Sequence, residues 1–161
     1  HADLLRAVTG QEVATVYARS WRVPDSPYRH DPAVAALLTL AGGATVLYEG
    51  DWASREPETS WNADWAFVGE GGSLRWTGDP ADVHAGEVVF LSSDGAARPL
   101  PVPLPVGPTA DRAASLGAFR HAVATGQEPE TSGRDNVKSL AIVLAMVESV
   151  ETGRPVALAV G

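Results

Sequence analysis

The pattern of apolar and polar residues changes from strand-like to helix-like about two-thirds of the way along the chain. The clearest alternation runs from Glu12 to Arg22, and successive side chains of a β-strand point to opposite faces. One face of this predicted strand is small and apolar, so it suits packing against helices. The other face is large and mixed, and it consists of Val13, Thr15, Tyr17, Arg19 and Trp21.

Turn residues divide the chain before residue 108 into further predicted strands. Residues 33–41 and 44–54 form a hairpin joined at Gly42-Gly43, where both glycines can take the positive φ of a two-residue turn. A loop with three prolines, residues 23–32, precedes this hairpin. Later strands are predicted at residues 60–69, 73–78, 87–93 and 96–106, the last at a sheet edge because of its prolines.

Helical spacing appears at both ends of the chain. A first helix covers residues 3–8 and stops at Gly10. A second follows the N-cap Thr109 and stops at Gly126, with apolar residues at helical spacing in Leu116, Phe119 and Val123.

A third helix opens at Ser132, where Asp135 three residues later resembles a capping box, and it ends at Gly153. Apolar residues cover more than half of its circumference, which predicts deep burial. Residues 154–160 then form a closing strand.

Together these elements predict an α+β fold, with one large, open, mostly antiparallel sheet and helices packed on one face. The length of 161 residues suits one compact domain. A sheet covered on one face leaves the other face for water, substrate or a partner.

Composition and charge exclude several classes of protein. Apolar residues make up 45% of the chain, and no apolar run approaches the length of a membrane span. The net charge is −8 and the twelve basic residues are scattered, so we expect neither nucleic acid nor an anionic membrane as a partner. The absence of cysteine excludes a disulfide framework and fits a reducing cytoplasm, which is the predicted location.

Reactive side chains are sparse. The four histidines lie in different predicted elements without metal-binding spacing, so we predict no metal site. The glycines of residues 69–72 begin like a dinucleotide fingerprint, but Leu74 replaces the last glycine and the segment joins two strands, so a turn is favoured. Five tryptophans fall in predicted strands; they pack in the core, line a sugar-like pocket or contact a partner subunit.

The helical part of the sequence carries a recognisable series of motifs. Residues 111–158 combine a helix with a central Phe119, a turn with Gly126 and Pro129, a Ser-Gly-x-Asp helix start and a Gly-Arg-x-Val strand. This segment resembles the end of the glucose-fructose oxidoreductase / inositol dehydrogenase / MocA family. Residues 3–10 are similar to the first helix of that family's C-terminal domain, and residues 67–76 to one of its hairpins.

The resemblance implies that residues 1–161 are a single C-terminal substrate-binding and oligomerisation domain with the dihydrodipicolinate-reductase-like fold. The whole enzyme would be an NAD(P)-dependent oxidoreductase of sugars, polyols or related hydroxy compounds. Its preceding Rossmann domain, which binds NAD or NADP and carries a Glu-Lys-Pro lysine, is absent; Lys138 does not match that lysine. We therefore expect this chain alone to be inactive.

The alternative is a freestanding, non-catalytic dimerisation or carbohydrate-binding module, although a start inside a helix favours a truncated enzyme.

The resemblance also directs the choice of site residues. The family's catalytic histidine precedes a helix in a His-x-x-Asp pattern, whereas His1 precedes Asp3 by two. Either His1 is that histidine in a shortened motif, or the histidine lies just before residue 1. The candidate substrate-binding residues are Asp3, Arg19, Tyr28, Arg29, His30 and Trp52.

The loop at residues 23–32 is expected to cluster with His1 and Asp3. Its Tyr28, Arg29 and His30 offer a hydroxyl, a fork of donors and a titratable ring, which suit a polyol or a carboxylate. A solvated surface loop is the alternative. We further expect a homodimer or tetramer through the open sheet face.

Overall fold

The structure is a computed structural model that describes residues 1–78, 88–92, 95–100 and 111–159. These residues form two compact units. The first contains residues 1–55 and 130–161, and the second contains residues 56–129.

The described helices and strands have the following bounds. The helices are α1 (Ala2–Thr9), α2 (Asp111–Thr125) and α3 (Gly133–Thr152). The strands are β1 (Val13–Trp21), β2 (Ala33–Leu40), β3 (Thr45–Asp51), β4 (Trp65–Gly69), β5 (Gly72–Thr77), β6 (Val88–Ser92), β7 (Arg98–Leu100) and β8 (Val156–Ala157).

The predicted α+β class with antiparallel pairing is confirmed. In the described part of the chain the strands form two four-stranded sheets where the sequence predicted one. The first has the order β3-β2-β1-β8 and the second the order β4-β5-β6-β7, and all their pairings are antiparallel. The predicted strand at residues 96–106 is described only over β7, because residues 101–110 lie outside the described part, as do Thr109 and His84.

In the first unit, α3 packs on one face of the sheet. The buried residues on that face and on α3 are Val16, Ala18, Ala36, Leu38, Ile142 and Ala145. The strand pattern predicted this face correctly except at Val13, which the sequence placed on the mixed face. A register shift between Val13 and Thr15 turns Val13 onto the buried face opposite Leu40, because a bulge reverses the alternation.

Helix α3 is buried on one side only, so the predicted deep burial is wrong. Ile142 and Ala145 face β1, while five apolar residues on the rest of the helix remain about half exposed: Val137, Leu140, Val143, Leu144 and Val147. The period of a helix gives the width of its apolar face, but a single sheet surface covers only part of that width.

The predicted cap residues that the structure describes, Ser132, Gly10, Gly126 and Gly153, behave as the sequence predicted. The Ser132 hydroxyl accepts a hydrogen bond from the Asp135 amide at 3.2 Å, and Gly10 and Gly153 end α1 and α3 with φ near +65°. Gly126 likewise follows α2 with φ 72°.

The β2–β3 turn differs in detail from the prediction. Gly43 has φ 87°, but Gly42 is not among the glycines with positive φ. The Gly42 amide donates a hydrogen bond to the side-chain oxygen of Gln11, which lies where a Cβ at Gly42 would point.

The second unit contains the hairpin of β4 and β5. Residues 70–71 form its turn, so the glycine-rich segment is a hairpin turn and does not open a helix. Trp65 stacks on Phe67 and on Trp76. Trp52 and Trp61, which the sequence placed in strands, lie in turns and are 70% and 71% exposed. Among the described helices, none is long and apolar enough to cross a membrane.

Candidate functional site

Arg6 lies at the centre of a polar cluster that joins α1 to α3. Its guanidinium is 8% exposed and donates to both carboxylate oxygens of Glu12, at 2.8 and 3.0 Å, and to both of Asp135, at 2.7 and 3.1 Å. It also donates to the Ser139 hydroxyl at 2.9 Å. The planar fork of arginine suits two bidentate carboxylates, so the cluster fixes the first turn of α3 against α1.

Each charged group of this cluster lies where opposite charges or the helix dipole stabilise its ionised form. Asp135 lies in the first turn of α3, where the helix dipole favours a negative charge. Hydrogen bonds donated by Arg6 hold the pKa values of Glu12 and Asp135 below their ordinary values, and the same hydrogen bonds raise the pKa of Arg6. Lys138 adds a second cation, with Nζ 3.1 Å from Glu12.

Asp3, a predicted substrate ligand, belongs to the same cluster. Its carboxylate accepts a hydrogen bond from the Ser139 hydroxyl at 2.9 Å and lies 3.6 Å from the Arg6 guanidinium. Its side chain is nevertheless about half exposed. The aspartate therefore braces the start of α1 and still presents an oxygen to solvent.

His1 precedes α1 and contacts β3. Its Nδ1 lies 3.3 Å from the hydroxyl of Tyr48, and the two rings are tilted with centroids 5.9 Å apart. Tyr48 pairs with the buried Ala36, so it lies on the sheet face that α3 covers. Burial raises the pKa of the Tyr48 hydroxyl above its ordinary value.

Gly50 makes room for this tyrosine. A Cβ at Gly50 would lie 3.0 Å from the Tyr48 hydroxyl oxygen, closer than side chains normally approach. Sequence reasoning missed Tyr48 and Gly50, because a tyrosine inside a strand has no signal that distinguishes it from core packing. Only the β2–β3 register brings it opposite the start of α1.

The loop at residues 23–32 is held by its own polar contacts. Arg22 donates to the carbonyls of Ser26 and His30, and the Ser20 hydroxyl donates to Asp31 at 2.6 Å. Tyr28, Arg29 and His30 have exposed side chains. The loop therefore has a defined backbone from which three candidate side chains project.

Trp52 joins this loop at the end of β3. Its amide donates to the carbonyl of Pro32 at 3.1 Å, directly before the paired residues Ala33 and Asp51. Ala36, the residue opposite Tyr48, is three positions from Ala33, roughly 10 Å along a strand. The loop and Trp52 thus lie at one end of the β2–β3 pair, and the Tyr48 that His1 contacts lies further along the same pair. Their joint contact with a substrate stays a prediction.

Arg19, the remaining candidate, lies elsewhere. It is exposed on the sheet face opposite α3, on the same side of β1 as Tyr17 and Trp21, as the alternation predicted. Within the part of the chain that the structure describes, no group of three acidic or histidine side chains could hold a metal ion.

Comparison with known proteins covers nearly the whole chain. The model of the "Oxidoreductase family, C-terminal alpha/beta domain" matches residues 1–158. The chain is 31% identical over 170 residues to D-apiose dehydrogenase of Paraburkholderia graminis, covering 97% of this chain and 42% of that protein.

Two solved structures share the fold. Aldose-aldose oxidoreductase from Caulobacter crescentus, complexed with glycerol, has a TM-score of 0.76 at 24% identity, over 96% of this chain and 44% of that one. An Agrobacterium radiobacter oxidoreductase in complex with NAD⁺, L-tartaric acid and magnesium has a TM-score of 0.74 at 24% identity, over 97% of this chain and 46% of that one. The chain spans less than half the length of each of these proteins. It belongs to the glucose-fructose oxidoreductase / inositol dehydrogenase / MocA family and corresponds to its C-terminal α/β domain.

Proposed function

We propose that this chain is the substrate-binding and oligomerisation domain of an NAD(P)-dependent oxidoreductase that acts on a sugar, a polyol or a related hydroxy compound. The family match over residues 1–158 carries this proposal. The similarity to D-apiose dehydrogenase and the shared fold with an aldose oxidoreductase support the substrate class. The proposed enzyme acts in the cytoplasm.

The described residues do not fit a dinucleotide. A phosphate-binding loop opens a helix, whereas the glycine-rich turn here joins β4 to β5. Lys138, the single lysine, lies on α3 and donates a hydrogen bond to the Glu12 carboxylate. We therefore assign NAD or NADP to a Rossmann domain of the full-length protein, where the nicotinamide would exchange a hydride with the substrate carbon.

The role of this chain is to bind the substrate and to manage the proton of its hydroxyl. Histidine exchanges protons readily near neutral pH. In this proposal, His1 takes the hydroxyl proton through Nε2, while the Tyr48 hydroxyl contacts Nδ1 and holds the ring. Asp3, Tyr28, Arg29, His30 and Trp52 supply polar and aromatic contacts to the hydroxyl groups of the substrate.

The test uses the full-length protein with a panel of aldoses, polyols and sugar acids and with each nucleotide, recording reduced nicotinamide by absorbance. We expect turnover of at least one hydroxy compound. Replacement His1→Asn is expected to lower kcat on the order of 100-fold, the usual scale for a general base, without a change in Tm. The matched control is His121→Asn, which removes an exposed histidine of α2.

Two loop variants test the substrate side. Tyr28→Phe and Arg29→Ala are expected to raise KM or lower kcat with little effect on Tm, because both side chains are exposed. Wild-type kinetics in both variants would show that the loop does not contact substrate. Wild-type kcat in His1→Asn would place the catalytic histidine before residue 1, and absence of turnover with every substrate would favour the non-catalytic module.

A further inference from the structure

The side of α3 that faces away from the sheet is apolar along most of the helix. We call this surface the α3 stripe, and its five residues are Val137, Leu140, Val143, Leu144 and Val147. Each of these side chains is between 47% and 58% exposed. At about 100° per residue, the five positions fall within roughly 120° of the helix circumference, on the side opposite the buried Ile142. The helix is therefore apolar on two opposite sides, which is typical of a helix packed between two layers.

The α3 stripe contains no charged residue. Lys138 is the one charged residue between Val137 and Val147, and its ammonium group lies 3.1 Å from the carboxylate of Glu12, which connects α1 to β1. The next charged residue, Glu148, follows the last residue of the stripe. A helix face in contact with water normally carries charged and polar side chains, so this stretch of about 15 Å is suited to an apolar partner.

The size of the α3 stripe limits what can bind it. The stripe is roughly 15 Å long and 10 Å wide, so it offers about 150 Å² in projection. A stable complex of separate proteins buries about 800 Å² on each partner, several times this area. A domain of the same polypeptide needs much less contact, because the connecting chain keeps it at an effective concentration of roughly millimolar. The stripe therefore suits a domain that is covalently joined to this chain.

The proposed full-length enzyme has such a domain before residue 1. D-apiose dehydrogenase and the aldose oxidoreductase are more than twice as long as this chain, which corresponds to the C-terminal domain of the family. The start of α1 lies against α3, because the Asp3 carboxylate accepts a hydrogen bond from the Ser139 hydroxyl at 2.9 Å. Ser139 directly precedes Leu140 of the stripe. A polypeptide that enters at His1 therefore meets this chain near the N-terminal end of the α3 stripe.

We propose that the α3 stripe is the docking surface for the nucleotide-binding domain of the same polypeptide. The existence of that domain rests on the proposed function, and the surface that holds it is the new inference. The matching surface of the domain is apolar, and the docked domain lies next to the start of α1, with His1 and Asp3. Loss of this contact loosens the nucleotide-binding domain relative to the substrate site and leaves its nucleotide pocket intact.

Photochemical cross-linking of the full-length protein, without nucleotide or substrate, tests which partner covers the stripe. Leu144 is replaced by the photoreactive residue p-benzoylphenylalanine, which keeps the position apolar, and the cross-linked peptides are identified by mass spectrometry. We expect them to come from the sequence before residue 1, in products of single-chain mass. The matched control replaces Leu116, a 69% exposed apolar residue of α2, and is expected to give at least 10-fold less of these peptides.

Every other product contradicts the proposal. Cross-links to residues 1–161 would show that this chain covers its own stripe, products of twice the mass would show a second copy, and no cross-link would show a solvated surface. Equal yields at Leu144 and Leu116 would contradict a specific contact. Because cross-linking requires no turnover, each of these results is distinguishable from failure of the proposed reaction.

A charge in the stripe provides a second measurement. Leu140→Glu in the full-length protein is expected to make protease cleavage of the segment directly before residue 1 at least 10-fold faster, because a buried carboxylate opposes docking of the domain. Nucleotide affinity is expected to change less than about 3-fold, because the pocket belongs to the domain itself. Leu116→Glu on α2 is the control and should be cleaved like the wild type. Cleavage of Leu140→Glu at the wild-type rate would overturn the proposal.

Discussion

At the scale of single residues, Arg6 shows how one side chain serves several elements. It gathers Glu12 from the α1–β1 connection and Asp135 and Ser139 from α3, more than a hundred residues away along the chain. A nearly buried cation is tolerated because its donors are used by charged and polar acceptors. The same contacts make the cluster sensitive to the charge of its carboxylates.

Replacement Arg6→Ala is expected to lower the free energy of unfolding by about 2–3 kcal/mol at neutral pH. That is below the usual loss for one partner of a buried ion pair, because Glu12 and Asp135 are partly exposed and can hydrate. Urea titration of Arg6→Ala measures this loss of unfolding free energy. Arg120→Ala, at an exposed position of α2, is the control. An unchanged midpoint in Arg6→Ala would refute the structural role of the cluster.

The difference in stability between the wild type and Arg6→Ala is expected to depend on pH. The pKa values of Glu12 and Asp135 are lowered in the folded state, so their stabilisation is complete above the unfolded-state pKa of about 4. It is lost as the pH falls through the folded-state values. The stability difference between wild type and Arg6→Ala should therefore narrow below about pH 4 and stay constant from pH 5 to 7.

At the scale of elements, a buried hydroxyl adds a hydrogen bond to the apolar packing between α3 and β1. Strand β8 pairs with β1 only at Thr15 and Val16, so the Ala18 amide lies beyond its end. The fully buried Ser149 accepts a hydrogen bond from this amide at 2.9 Å and donates to the Arg154 carbonyl at 2.7 Å. A helix side chain thus completes the edge of the sheet just before the start of β8.

Replacement Ser149→Ala is expected to cost about 1–3 kcal/mol of unfolding free energy, because it leaves the Ala18 amide buried without an acceptor. Ser115→Ala, at an exposed position of α2, is the matched control and should change stability by less than about 0.5 kcal/mol. The two variants are compared by their denaturant midpoints, provided that the unfolding free energy depends on denaturant concentration with the same slope in both. Faster hydrogen exchange of the Ala18 amide would locate the effect; equal stability of both variants would contradict it.

At the scale of the whole molecule, the chain matches the C-terminal part of proteins more than twice its length. Its first unit combines the Arg6 cluster between α1 and α3, the His1–Tyr48 contact and a sheet face that α3 does not cover. Its second unit provides a separate sheet with a stacked aromatic cluster. In the proposed function, the nucleotide binds a domain outside residues 1–161.

Residues 1–161 alone are therefore expected to show no micromolar affinity for NADH or NADPH and no turnover. The full-length protein is the control and should bind at least one of the two. Titration followed by the fluorescence of the reduced nicotinamide measures both samples. Micromolar binding by residues 1–161 would contradict the assignment of the nucleotide to another domain.

Local patterns determined the elements of this protein and its family. The alternation in β1, the caps at Ser132, Gly10 and Gly153, and the glycines of the β4–β5 turn each depend on residues that are near neighbours in sequence. Their local chemistry fixes the backbone without reference to the rest of the chain. The helix-start and closing-strand motifs after residue 110 were sufficient to indicate the family.

Long-range contacts were decided only by the tertiary structure. Periodicity showed that α3 is broadly apolar, but it could not show which part of that surface meets β1. Nothing local placed Tyr48 beside His1, 47 positions away, or Asp135 beside Arg6, 129 positions away. Such pairs depend on strand register and helix packing, which bring together residues that share no neighbours in the sequence; the same register sets Arg19 and Glu49 on either side of Ala35.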